Sequence, residues 1–259
     1  MGLKIALIGY GRMGKAVEQI ALTRNHSIVR IDPVAVGANF KNIDNTSLDG
    51  VDVCIDFTTP ATAIENATKA ANLGKNLVMG TTGWYDQTEK MKEVIQKSGT
   101  GFIWSGNFSV GMNVFFRIVR DAAKNFNNLP EYDTAVLEMH HNKKKDSPGG
   151  SAQIIGKIML EELERKNKMV FDKFDRKPES NELHVASVRV GSVPGVHEVI
   201  FDCPIDTIEL KHTARNLDGF AFGAVLAAEF INGKKGFYGI DELMNAVLKQ
   251  TPANSTTKN

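Results

Sequence analysis

Short apolar runs alternate with stretches in which apolar residues recur every three or four positions, and this alternation opens the chain. Residues 4–8 read as a buried strand, and 12–23 as a helix with Val17, Ile20 and Ala21 on one face. A second strand is predicted over 28–36, with Pro33 arguing for an early end or a bend. Residues 51–57 form a third strand, followed by a helix over 60–72 that starts on Pro60, a residue suited to a first turn. Short strands at 76–79 and 102–104 flank a helix at 86–97. This order is the mark of an α/β domain with a parallel sheet. Beyond residue 107 the pattern changes. An amphipathic helix over 110–125 leads into strand-like segments at 132–141, 183–190, 196–203 and 207–212, which can form a mixed or antiparallel sheet. One helix interrupts them at 152–166, with Ile155, Ile158, Met159 and Leu163 at helical spacing. Helices at 218–231 and 241–248 are expected to return to the first domain, and the polar stretch 251–259 to fray.

Composition narrows the class. The 259 residues are 42% apolar and 24% charged, the balance of a globular protein that needs no disulfide or structural metal to hold its core. Thirty-one basic residues against thirty acidic ones leave a net charge of +1, which gives no field for nucleic acid or a membrane surface. The two cysteines, Cys54 and Cys203, sit in apolar runs outside any CxxC pattern and read as buried, inert thiols suited to a reducing cytosol. The apolar run after Met1 is too short for a signal peptide, and no stretch of about 18 apolar residues exists to span a bilayer. A cytoplasmic location is therefore expected.

The first chemical signal is Gly9-Tyr10-Gly11-Arg12-Met13-Gly14, which follows a predicted strand and opens a predicted helix. In that context the three glycines serve a tight turn, the approach of a pyrophosphate to the backbone, and close packing of helix on strand. The helix N-terminus then offers amide groups and partial positive charge to the phosphates. Asp32, near the end of the second strand, stands where a carboxylate hydrogen-bonds adenosine ribose hydroxyls and repels a 2′-phosphate. The cofactor is thus NADH or NADPH. Asp32 favours NADH, while Arg12 is close enough in sequence to receive a 2′-phosphate. Two loops, Gly80-Thr81-Thr82-Gly83 and Ser105-Gly106-Asn107-Phe108, each follow a short strand and are candidate walls for the nicotinamide. Either alone would be an ordinary turn.

The second signal runs from Glu138 through His140, His141, Lys143, Lys144, Lys145, Asp146 and Pro148 to Gly149, Gly150, Ser151 and Ala152. Two histidines end a strand, three lysines follow, and a glycine turn opens an amphipathic helix. Helix N-terminal amides at Gly150 and Ser151, with nearby cations, can grip a carboxylate. An imidazole beside them can give or take a proton near neutral pH. A lysine run by itself is a solvated loop, and adjacent histidines on a strand point to opposite faces. The remaining histidines, His26, His184, His197 and His212, and the two cysteines lack metal-ligand spacing, so no metal is expected.

This segment resembles the signature of the 4-hydroxy-tetrahydrodipicolinate reductase (dihydrodipicolinate reductase) family, Glu-x-His-His-x-x-Lys-x-Asp-x-Pro-Ser-Gly-Thr-Ala. Residues 9–14, the run Asp56-Phe57-Thr58-Thr59-Pro60, residues 80–83, and Asn107-Phe108-Ser109-Val110-Gly111 match further family motifs. So do Val188-Arg189-Val190-Gly191 and the Gly195-x-His197-Glu198 that follows, so the resemblance covers most of the chain. It implies that His140 is the acid/base histidine, that Lys144 is the proton donor, and that His141, Gly150 and Ser151 hold a substrate carboxylate. It implies a Rossmann-type dinucleotide-binding domain over 1–107, completed by 217–259. It also implies an α+β substrate-binding and oligomerisation domain with a mixed sheet over 108–216, which joins subunits into a homotetramer. The implied reaction, in lysine and diaminopimelate synthesis, is NAD(P)H-dependent reduction of (2S,4S)-4-hydroxy-2,3,4,5-tetrahydrodipicolinate, a small dicarboxylate, with closure of the domains over it. Two departures stand out. Asp32-Pro33 replaces an acidic-basic pair, which weakens the case for NADPH, and Gly149-Gly150-Ser151 replaces Ser-Gly-Thr. Another two-domain amino-acid dehydrogenase would share the glycine turn but has no use for the His-His-Lys run. A nonenzymatic NAD(H) sensor would have no use for proton donors.

Overall fold

The structure is a computed structural model that describes residues 2–171 and 173–249. The 251–259 stretch expected to fray lies outside the described residues. Two compact units emerge, one of Met1–Val110 with Leu217–Asn259 and one of Gly111–Asn216.

The first unit is built on a six-stranded parallel sheet in the order β11-β5-β4-β3-β1-β2. Its strands are β1 (Lys4–Ile8), β2 (Ser27–Ile31), β3 (Val53–Asp56), β4 (Asn76–Met79), β5 (Gly101–Trp104) and β11 (Gly236–Tyr238). The strands read as near-continuous apolar runs because both faces are covered. In β1, Ala6 and Ile8 enter one core with α2 (Pro60–Asn72) and α3 (Thr88–Ser98). Ile5 and Leu7 enter the opposite core with α1 (Arg12–Thr23), α6 (Asp218–Ile231) and α7 (Ile240–Lys249). The second strand ends at Ile31, five residues short of the predicted 36. Pro33 has no N–H for the ladder, and the Asp32 carboxylate turns the chain by accepting the amides of Val34 and Ala35.

The second unit holds a five-stranded mixed sheet in the order β10-β9-β6-β8-β7. Here β6 (Asp133–His140) pairs parallel with β8 (Glu182–Arg189) and antiparallel with β9 (Val196–Asp202); β7 (Lys168–Val170) and β10 (Thr207–Thr213) are the edges. Helices α4 (Val110–Asn127) and α5 (Gly150–Glu162) pack on one face through Phe115, Val119, Ile155 and Met159 against Val136, Val185 and Val199. The predicted 152–166 helix starts two residues earlier and stops at Glu162. Past that point Leu163 is fully buried and Lys166 is drawn inward to Asp133 and the Glu182 carbonyl oxygen, which pulls the backbone off the helix axis. Edge strands β7 and β11 have only three residues each and are absent from the sequence pattern. No helix among the described residues is long and apolar enough to cross a membrane.

Candidate active site

In the first unit the chain leaves β1 for β2 on one side and takes up β3 on the other. Such a reversal opens a crevice at the carboxyl ends of the strands. The turn into α1 passes Gly9, whose φ of +89° and whose approach to the Phe57 carbonyl oxygen, 2.4 Å from an ideal Cβ, admit only glycine. Gly14, inside α1, packs against the Gly9 carbonyl. Gly11 caps α1, and a Cβ there would meet nothing within 4 Å. The helix N-terminus therefore faces open space, with first-turn amides that have no intrahelical acceptor, a setting that fits the pyrophosphate of a dinucleotide.

Two cavities flank this turn. One, of about 470 Å³, is lined by Gly9, Gly11, Asp32, Lys41, Thr59 and Asn66 among others. The second, of about 320 Å³, is lined by Arg12, Met13, Thr58, Gly80, Thr81 and Thr82 among others. Arg12 thus lines the cavity away from Asp32, and Lys41 is a cation lining the cavity that Asp32 shares. The Asp32 carboxylate already accepts the Tyr10 amide at 2.8 Å besides those of Val34 and Ala35. Burial pushes its pKa up, but these three amides prevail and hold it below the ordinary range. Asp32 therefore shapes the glycine turn as well as lining the cavity. The loop after β5 is braced by itself: Ser105 Oγ donates to the Asn107 carbonyl at 2.8 Å, and Asn107 Oδ1 accepts the Ser109 amide. Phe108 is a core residue, 2% exposed, so that position can offer a ligand only its backbone. Gly106 has the Tyr85 hydroxyl as its near neighbour. A roomier cavity of about 600 Å³ lies among Leu3, Arg24, His26 and Glu229. Those groups satisfy one another there: Arg24 pairs with both oxygens of Glu229, and His26 bridges Glu229 and the Leu3 amide.

The Asp56–Pro60 motif holds a residue to which the sequence assigned no role. Asp56, fully buried at the end of β3, accepts hydrogen bonds from the Thr58 amide and hydroxyl, the Thr81 hydroxyl and the Asn66 side chain. One carboxylate thus ties together the β3 loop, the β4 loop and α2, whose residues line both cavities. The sequence marked Asp56 as the start of a matched motif, an acidic residue ending an apolar strand and followed by hydroxyls, but gave it no role.

In the second unit β6 delivers Glu138 and His140, two residues apart, to the same face. Glu138 is fully buried. Its Oε1 accepts the Gly149 amide at 2.9 Å and Arg189 Nη2 at 2.7 Å, while Oε2 lies 2.6 Å from His140 Nδ1. That last pair is close enough for a charge contact, although its N–H direction falls short of a hydrogen bond. Lys144 Nζ bonds Asp146 at 2.9 Å, and the Lys144 side chain lies beside Gly149, the N-cap of α5. Gly150 and Ser151 form the first turn of α5. His141 follows β6 directly, with Nδ1 buried and without a hydrogen-bond partner among the described residues. The structure thus gathers His140, Lys144 and the α5 N-terminus around one carboxylate.

It also gives places around that carboxylate to Arg189 and His197, which lie in matched motifs without an assigned role, and to Ser187 and His212. Strand register places Ser187 and His197 beside Glu138, Arg189 beside His140, and His212 beside His197. The His140 and His197 rings stand 5.2 Å apart, edge to face. Burial drives His197 down to about 4, helped by the neighbouring His140, so its ring is neutral at pH 7. His140 is also lowered, by burial first, against the opposing pull of Glu138. Glu138 stays below the ordinary carboxylate range despite burial because Arg189 and the Gly149 amide favour its charged form. Glu138, His140 and His197 each offer one ligand atom within 4.8 Å of the others, a spacing an ion can span. Arg189 and Lys144 set two positive charges beside that group, which opposes a cation and suits an anion.

Known proteins resemble this chain over both of its units. Residues 3–108 match the family described as dihydrodipicolinate reductase, N-terminus, and residues 111–244 match dihydrodipicolinate reductase, C-terminus. The chain is 36% identical over 250 residues to a 4-hydroxy-tetrahydrodipicolinate reductase of Christiangramia forsetii, covering 95% of this chain and 100% of the relative. It is also 36% identical over 242 residues to the protein of that name from Methanosarcina mazei, covering 93% and 88%. Among solved structures, a dipicolinate-bound dihydrodipicolinate reductase from Paenisporosarcina sp. TG-14 matches with a TM-score of 0.74 at 21% identity, covering 93% of this chain and 99% of that one. A DAP dehydrogenase from C. glutamicum, in complex with DAP, matches with a TM-score of 0.56 at 16% identity, covering 98% and 97%, and shares the fold.

Proposed function

The chain belongs to the dihydrodipicolinate reductase family, and from that premise we propose that it reduces (2S,4S)-4-hydroxy-2,3,4,5-tetrahydrodipicolinate to (S)-2,3,4,5-tetrahydrodipicolinate and water in lysine and diaminopimelate synthesis. Gly9, Gly11, Arg12, Met13, Asp32, Gly80, Thr81 and Thr82 would hold the dinucleotide, with the amides opening α1 on its pyrophosphate. Reduced nicotinamide, when bound, supplies the hydride. NADH is the favoured form, because Asp32 brings negative charge to the cavity it lines, although Lys41 on the same wall leaves a route for a 2′-phosphate.

The rest of the chemistry falls to side chains of the second unit. Gly150, Ser151 and His141 hold one carboxylate of the substrate, and Arg189 and Lys144 make the surroundings positive. Lys144 carries a proton on Nζ and donates it, and His140 assists as the acid/base imidazole. General acid–base help of this kind is worth ~10²–10⁴-fold. One observation carries the reading: a histidine, a lysine and a helix N-terminus meet around a single buried carboxylate, which is the equipment for gripping a small dianion and giving it a proton. The open face of the five-stranded sheet, with Leu137 and Met139 half-buried and Val188 exposed, supports association into a homotetramer. Two free, buried cysteines suit work in the reducing cytosol. Replacing both His140 and Lys144 with alanine should collapse turnover while NADH affinity is retained. Unchanged turnover would refute the assignment.

A further inference from the structure

The loop of residues 141–148, which carries Lys144, is pinned at its ends by the Asn142 amide on the Gly191 carbonyl oxygen and by Gln153 Nε2 on the Pro148 carbonyl oxygen, and three further ties hold it to one side chain. At its start, His140 Nδ1 lies 2.6 Å from Glu138 Oε2. At its end, the Gly149 amide donates to Glu138 Oε1 at 2.9 Å. In between, Arg189 bonds the Asp146 carbonyl with the same Nη2 that reaches Glu138 Oε1 at 2.7 Å. These last three ties lead, directly or through Arg189, to one carboxylate that is 0% exposed. Gly149 completes the arrangement. Its φ of −70° makes no demand for glycine, but a Cβ there would lie 2.8 Å from Lys144 Cε and 3.1 Å from Glu138 Oε2. The bare backbone lets the lysine stem fold in against the buried acid.

We propose that Glu138 is the positioning residue of the substrate site, a single buried carboxylate that sets the His140 ring, the Arg189 guanidinium and the mouth of α5 in register for a dianion. It touches no substrate in this role. Its link to catalysis rests on the reductase reading above, but its effect on its neighbours does not. The charged and titratable groups facing His140 are Glu138 on its own strand, Arg189 on β8, His197 on β9 and Lys144 from the loop. Of these only Glu138 favours a proton on the ring. The same carboxylate tethers the amide that begins α5, so its removal should disturb proton affinity and carboxylate capture together.

The test uses the full-length protein and two variants, Glu138→Gln and Glu138→Asp. The His140 titration is read by NMR, and the affinity for pyridine-2,6-dicarboxylate by calorimetry. The Gln variant should displace the His140 midpoint further down and weaken the dicarboxylate by about tenfold or more, since a charge-assisted tether is lost, while NADH affinity stays as in the parent. The Asp variant keeps the charge but not the reach, so it should recover much of the midpoint and little of the affinity. It is also the variant to read if Glu138→Gln does not fold. An unmoved midpoint with unchanged dicarboxylate affinity in either folded variant overturns the proposal. A midpoint that moves in a protein that never binds the dicarboxylate would leave Glu138 as the organiser and sink the substrate assignment instead.

Discussion

Removing the carboxylate of Asp56 should damage both stability and cofactor binding, and the size of each effect follows from its partners. Four donors converge on it: the Thr58 amide at 3.0 Å, the Thr58 hydroxyl at 2.8 Å, the Thr81 hydroxyl at 2.7 Å and the Asn66 side chain at 2.9 Å. In Asp56→Ala, Thr81, only 6% exposed, cannot turn to water, whereas the half-buried Asn66 and Thr58 can do so in part. A stranded buried donor costs about 1–3 kcal/mol, so the total should come to about 3–5 kcal/mol, near the top of the range for single substitutions. Asp56→Asn keeps one oxygen for the threonines and asks that the Asn66 amide flip and give up its bond to Thr58 Oγ1, at a cost of about 1–2 kcal/mol. Urea unfolding measures both values. NADH fluorescence titration should show about tenfold weaker binding in the alanine variant, equivalent to about 1.4 kcal/mol, because the Thr58 and Thr81 loops line the cavities. The pH dependence has a definite sign. Burial lifts Asp56 above its ordinary pKa, against the pull of the hydrogen bonds from Thr81, Thr58 and Asn66. The folded state therefore holds this proton to higher pH than the unfolded chain. Stability from this group is full below the unfolded pKa and is lost as pH rises through the folded one, a slope the Asn variant should lack. A loss under about 1 kcal/mol in Asp56→Ala, or a large loss with unchanged NADH affinity, would refute the bracing role.

Three further outcomes are expected. Gly9→Ala should lose about 2 kcal/mol or more of stability from its positive φ and its clash with the Phe57 carbonyl, whereas Gly11→Ala should fold normally and bind NADH poorly; equal unfolding costs would contradict the phosphate cradle. His197 sits at about 4, below its unfolded value, so its contribution is full at neutral pH and roughly 3 kcal/mol is lost as pH falls from about 6.5 to about 4. His197→Leu should flatten that part of the acid-stability profile, and an unaltered slope would rule out the buried neutral imidazole. Cys54, pushed up to about 12 by burial, should stay silent to a thiol reagent at pH 8 until the protein unfolds, as titration of native and denatured protein will show.

The residues that could be read in advance are those whose role is local. The Gly9–Gly14 turn declares itself through spacing after an apolar run, and the His140–Lys144 segment through its concentration of proton carriers before a helix. β1, α1, α2 and α6 carry enough periodicity to be bounded to the residue. What stayed hidden depends on pairing across distance. Arg189 and His197 lie in matched motifs, but their place in the site depends on β8 and β9 aligning on β6 in one particular register, which no local pattern specifies. The three-residue strands β7 and β11 exist only through their neighbours. Asp56 opens a matched motif, but its bracing role takes shape only where α2 and the β4 loop close over it. The stop of α5 at Glu162 likewise follows from Arg165, which bonds the carbonyls of Phe126, Asn127 and Tyr132, and from the burial of Lys166, both tertiary events.

The most direct test of the reductase assignment is the initial rate of dinucleotide oxidation on freshly prepared 4-hydroxy-tetrahydrodipicolinate, with NADH and NADPH in turn, with and without pyridine-2,6-dicarboxylate. Substrate-dependent oxidation with both, faster with NADH and competitively suppressed by the dicarboxylate, is predicted. Cofactor binding with no substrate-dependent oxidation, or turnover indifferent to the dicarboxylate, would contradict it.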